Sequence, residues 1–255
     1  MIQTRVFSVF PLRKLFSFIL LTGVFLCASQ PIGAQELSID FSEGTGLTQR
    51  AFQLIALVTV LSLAPSILVM VTSFTRIVVV LSLLRTAIGI QQSPPNSVVV
   101  SLALFLTAFV MAPVLEQSYR EGILPVVEGN VELKDAFPKV AKPFHGFMMK
   151  HVREKDLGLF IDLSKIEKPE KAEDVPLHVL TPAFMISELR RAFEIGFLLF
   201  VPFIIIDLVV SSVLMSMGMM MLPPIIISLP FKLIFFVLVD GWHMVAGSLI
   251  KSFGV

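Results

Sequence analysis

An internal disulfide is excluded by arithmetic, because the chain holds a single cysteine, Cys27. Charge is scarce too: 15% of the 255 residues are Asp, Glu, Lys or Arg, against about 25% in a soluble domain. The signs nearly cancel, to +1, so no overall field argues for nucleic acid or an acidic partner. The four histidines fall at 145, 151, 178 and 243, and none has the i,i+4 HExxH spacing of a zinc site. CxxC, a P-loop, GxSxG and GxGxxG are absent as well, so metal, nucleotide and nucleophile chemistry have no starting point and no cofactor is expected. Tyr and Trp occur once each, against 23 Phe. Phenylalanine has no polar handle and suits positions that are fully buried or face lipid.

What is present is long apolar sequence. The N-terminus, "RKLFSFILLTGVFLCASQPIGAQE", has a basic start at Arg5, Arg13 and Lys14, an apolar stretch over 15–28 and small residues near Ala34. That is the layout of a secretory signal peptide over 1–34, with cleavage after Ala28 or Ala34; the alternative is a retained anchor helix. If the signal is removed, the mature chain has no cysteine and suits an oxidising compartment.

Four apolar blocks follow, over 51–84, 98–115, 181–213 and 225–250. A membrane span needs about 20 apolar residues, so the first block is too long for one upright crossing, and Pro65 is expected to kink it. Residues 116–180 carry most of the charge and read as a hydrophilic insert with one or two short helices. The expectation is an all-α protein: paired apolar helices over 51–115 and 181–255, with the insert between. Counting crossings from an exported N-terminus places the insert and the C-terminus on the periplasmic side.

Charges interrupt the apolar blocks at Arg76, Glu188, Arg190, Arg191, Glu194, Asp207, Lys232 and Asp240. Each costs at least ~2.5 kcal/mol at the centre of a membrane helix and so faces protein or water. Glu188 with Arg191 and Arg190 with Glu194 fit on one helix face. Arg76, Asp207 and Lys232 have no charged neighbour at helical spacing, so their partners are expected on other helices or other subunits, which points to a multi-subunit assembly.

The stretch "VLMSMGMMMLPP" places Met215, Met217, Met219, Met220 and Met221 within seven positions. Gly218 permits a backbone conformation other residues avoid, and Pro223 and Pro224 forbid simple helical continuation. The methionines therefore sit on a reversal between the third and fourth blocks. One reading is a membrane-buried turn filled with adaptable apolar residues. The other is a loop lining a cavity, where a ring of such loops closes against ions by dewetting and deforms around varied polypeptides.

The segments "TSFTRIVVVLSLLRTAIGIQQSPPN", "TPAFMISELRRAFEIGFLLFVPFIIIDLVVSSVLMSMGMMMLPP" and "SLPFKLIFFVLVDGWHMV" resemble the FliP family of flagellar biosynthesis proteins over about residues 45–255. The resemblance implies a pentamer joined by FliQ-like and FliR-like subunits in the type III export gate, passing unfolded flagellar proteins across the inner membrane. It implies that the loop from Met215 to Met221 forms a gasket, and that the helices sit largely at or above the periplasmic face. Within such a ring, Glu188 is expected to pair with Arg153 of a neighbouring subunit, or else with Arg191 on its own helix. The competing readings are a small-solute or ion transporter, a scaffold without a pore, and the equivalent subunit of a virulence injectisome.

Overall fold

A computed structural model describes residues 46–254 apart from Gln91, Glu132, Glu167, Lys168, Glu170 and Met220. The proposed signal segment 1–34 and Met220 lie outside the described residues. All the regular structure described is helical: α1 Gly46–Val71, α2 Phe74–Ile88, α3 Asn96–Ser118, α4 Leu124–Val127, α5 Leu133–His151, α6 Glu154–Ser164, α7 Leu177–Ser216, α8 Pro224–Leu238 and α9 Gly241–Lys251. The chain divides into two units at Leu57, and the packed core belongs to the second, which begins at Val58.

The centre of that core is α2. Its buried apolar residues, Ile77, Val80, Leu81, Leu84 and Ile88, recur at three- and four-residue steps, which line one face of a helix. They pack against Val179, Leu180, Phe184 and Ala192 of α7 and Val99, Ala103, Val110 and Met111 of α3. Helix α2 stops at Gly89, where φ is +95° and the glycine N–H donates to the Thr86 carbonyl at 3.1 Å. Gly196 of α7 lies tight against α2: a Cβ there would lie 2.3 Å from Leu83 Cδ1.

The first apolar block is not one kinked helix. It bends at Pro65 and then breaks between α1 and α2 at Thr72–Ser73. There the Thr72 hydroxyl accepts from the Phe74 N–H at 3.4 Å and Thr75 Oγ1 donates to the Val69 carbonyl at 3.2 Å. Hydroxyl side chains offer the backbone these alternatives to the helical ladder. The fourth block is also divided. Helices α8 and α9 meet at a 62° bend, where Asp240 has φ +49° and the Phe236 ring occupies the space a Cβ at Gly241 would need.

Helix α3 runs on through a π-turn, Tyr119–Ile123, which seats Gly122 against α5. Ser118 Oγ donates to the Val140 carbonyl at 2.8 Å. Helices α5 and α6 supply the hydrophilic insert, and further polar contacts hold them in place. His145 Nε2 lies 2.8 Å from the Val175 carbonyl, and Ser187 of α7 donates to Asp156 at 2.7 Å. Among the described residues two continuous helical stretches, Asn96–Val127 and Leu177–Ser216, are long and apolar enough to cross a membrane; the number rises to four if each bent pair is one span.

Candidate functional site

The methionine turn is built by the end of α7. After Ser216 the helix closes with Gly218 in the left-handed region, φ +72°. The Gly218 N–H donates to the Met215 carbonyl at 3.1 Å and the Met219 N–H to the Leu214 carbonyl at 3.0 Å. This pair of bonds is the Schellman closure that glycine makes cheap at a helix C-terminus. Leu222 N–H then reaches back to the Met219 carbonyl at 3.3 Å. Pro223 precedes α8 and Pro224 occupies its first turn, where a proline loses no helical hydrogen bond. The reversal is therefore specified by its own backbone.

The side chains it carries point outward. Met215, Met217 and Met219 are 56%, 61% and 43% exposed, and Met221 is 98% exposed. Beside the turn, α7 and α8 enclose an open cavity of about 460 Å³ lined only by apolar side chains, among them Val209, Val213, Leu214 and Phe231.

The hairpin is fastened about nine residues, or roughly 14 Å of helix, before the turn. Lys232 Nζ of α8 donates to Asp207 Oδ2 of α7 at 2.7 Å, and Ser228 Oγ donates to Asp207 Oδ1 at 2.5 Å. Two charges that sit on separate apolar blocks thus meet within one chain.

Glu188 and Arg76 form the second internal pair. Arg76 Nε donates to Glu188 Oε2 at 2.8 Å, and its Nη2 meets Oε1. Both side chains are buried, at 1% and 0% exposure. Arg76 Nη1 also donates to the Ser252 hydroxyl at 3.0 Å and the Ser252 carbonyl at 3.3 Å. The Phe253 ring stacks on the guanidinium, 3.8 Å from Cζ to the ring centroid. Phe147, His151 and Phe184 complete the aromatic surround.

Within one chain it is therefore Arg76 that holds Glu188. Neither Arg153 nor Arg191 holds it. Arg153 sits at the start of α6, 3.9 Å from Asp156, and its backbone N–H donates to Ser187 Oγ at 3.1 Å. Arg191 forms no salt bridge among the described residues. The physical reason is competition: a planar guanidinium engages both carboxylate oxygens at once, and α2 brings Arg76 into the core at the right height. Arg190 and Glu194 do pair along their helix, at 2.9 Å. Since Arg76, Glu188, Asp207 and Lys232 satisfy one another inside a single chain, these charges do not by themselves require a second subunit.

Ser228, Ser252 and Phe253 were not visible as partners in the sequence. Serine and phenylalanine abound in apolar helices, and only the fold brings them to a charge. Among the described residues no cluster of three His, Cys, Asp or Glu side chains could hold a metal ion.

Long apolar helices, two internal ion pairs and a methionine turn left bare at one end define an all-α protein with membrane-spanning capacity. The sequence model of the FliP family matches residues 57–249, a stretch that contains both ion pairs and the turn. The chain belongs to the FliP family. It is 64% identical over 230 residues to the flagellar biosynthetic protein FliP of Caulobacter vibrioides, covering 89% of this chain and 86% of that one. The protein of the same name from Bacillus subtilis is 54% identical over 201 residues, or 79% of this chain and 91% of that one. The Aquifex aeolicus protein of that name is 45% identical over 244 residues, 95% of this chain and all of the other.

Proposed function

We propose that this chain is a membrane subunit of the flagellar protein-export apparatus, and that copies of it form a ring whose methionine turns seal a pore for unfolded flagellar proteins. Relatives named flagellar biosynthetic protein FliP, at up to 64% identity, support the flagellar system over a virulence one. The ring is a pentamer in this reading, completed by FliQ-like and FliR-like subunits in the inner membrane, with the α5–α6 insert on the periplasmic side. The chain is not an enzyme in this scheme. Energy comes from partner proteins and the proton gradient.

One observation carries the proposal: Met215, Met217, Met219 and Met221 project from the tip of a hairpin and are not used to fill the core. Several copies brought together would place flexible thioether chains on one axis. Methionine adapts its shape to what presses on it, and an apolar constriction excludes water and ions until something displaces it. Broad apolar faces support burial by lipid or neighbouring subunits. Phe193, Phe197 and Leu198 of α7 are each about three-fifths exposed or more, and contiguous patches of this kind mark interaction surfaces.

The test is ion leak through membranes containing the co-expressed export complex. Replacing Met219, Met220 and Met221 by alanine should raise resting conductance while the complex still assembles. Unchanged conductance in an assembled complex would reject the gasket and favour a scaffold without a pore.

A further inference from the structure

A second cavity, of about 430 Å³, opens between the end of α3, the last turns of α5 and the segment after α9. Its floor is apolar, with Val114, Phe147 and Phe253 among the lining residues. Lys142 and Lys150, both exposed, stand on its wall. His151 also lines it, although only 5% of that residue is exposed.

The two lysines are uncommitted. Neither forms a salt bridge among the described residues. Two carboxylates that follow this part of α3 are engaged by neighbours: Glu116 pairs with Arg120 at 2.5 Å, and Glu121 of the π-turn accepts from the Gln117 amide at 2.9 Å. Burial first, then the charges of Arg76, Lys150 and Arg191, push the His151 pKa down to about 4. A neutral imidazole in that place offers hydrogen bonding without adding a third charge.

Position narrows the choice of anion. The cavity lies where the apolar part of Asn96–Val127 gives way to Glu116, Gln117 and Arg120. At such a boundary a membrane presents phosphates beside acyl chains. Basic pockets between membrane helices take the head groups of anionic lipids.

We infer that this cavity binds one anionic phospholipid, its phosphate held by Lys142 and Lys150 and part of an acyl chain lying on Val114, Phe147 and Phe253. The inference rests on the membrane placement proposed above, which detergent-dependent extraction of the chain from membranes tests separately.

The decisive experiment is native mass spectrometry of the delipidated full chain in neutral detergent. Phosphatidylglycerol and phosphatidylcholine with identical acyl chains are added in competition, with inorganic phosphate in a parallel arm. Phosphatidylglycerol should be retained at least about tenfold over phosphatidylcholine, since each lysine near a lipid phosphate favours the anionic head group. Lys142→Gln with Lys150→Gln should abolish that preference, while Lys134→Gln with Lys155→Gln should leave it. Equal retention of the two lipids by the unaltered chain overturns the inference without any variant. So does displacement of phosphatidylglycerol by millimolar phosphate, which would mark a simple anion site.

Discussion

Arg76 and Glu188 stand 112 positions apart in the chain and face each other fork to fork in its core, with Nε 2.8 Å from Oε2. Neither is reached by solvent. Removing one partner strands a buried charge, so Arg76→Ala or Glu188→Ala should each destabilise the protein by about 3–5 kcal/mol. The double substitution Arg76→Met with Glu188→Leu should recover most of that loss, because two apolar side chains replace two desolvated ions. Arg76→Lys should recover little, since an ammonium cannot copy the fork. Midpoints of thermal unfolding in detergent measure all four.

Gly218 tests whether the turn is specified by its backbone. No side chain crowds it, yet φ is +72°. Gly218→Ala should therefore cost roughly 1–2 kcal/mol through conformation alone, and Gly218→Asn should cost less. Hydrogen exchange at the Met219 amide, bonded to Leu214, reads the local loss directly.

Gly122 and Gly158 form a matched pair of opposite sign. A Cβ at Gly122 would lie 2.9 Å from the Val140 backbone nitrogen, which cannot swing aside, whereas nothing lies within 4 Å at Gly158. Gly122→Ala should loosen the contact between the π-turn and α5 and lower the unfolding midpoint. Gly158→Ala, inside α6, should raise stability by up to about 1 kcal/mol. Parallel melts of the two variants settle the contrast.

His151 makes stability depend on pH in a defined direction. Burial and neighbouring positive charge depress its pKa from 6.5 to about 4 in the folded chain. Between those values the unfolded chain takes up a proton that the folded chain refuses. Stability should therefore fall as pH drops from about 6.5 to about 4, by at most about 3 kcal/mol, and level off below. His151→Gln should flatten that part of the profile. Unfolding midpoints at pH 7, 5.5 and 4.5 provide the measurement.

Much of the fold was legible because it follows from local rules. The all-α class and the reversal at Gly218 and Pro223 are written in the length of the apolar runs and in backbone freedom. The breaks at Thr72–Ser73 and Asp240 were not. Apolar character continues across the first, and at the second an exposed aspartate takes a positive φ that its residue type does not announce. The partner that Glu188 takes within the chain was hidden for a related reason. Sequence spacing reveals charges three or four residues apart, and Arg191 fits that rule. It is blind to Arg76, which only the packing of α2 on α7 brings near. Asp207 and Lys232 were recognised as needing partners, but not as each other's.

The separation of Arg76 and Glu188 also sets a timetable for biogenesis. Ribosomes add about 5–20 residues each second, so roughly 6–20 s elapse after Arg76 is made before its counter-ion exists. The Ser252 and Phe253 contacts come later still. For that interval the guanidinium of α2 lacks the carboxylate that it meets in the folded chain. The packing of α2 on α7 around this pair is therefore completed only after α7 has been synthesised.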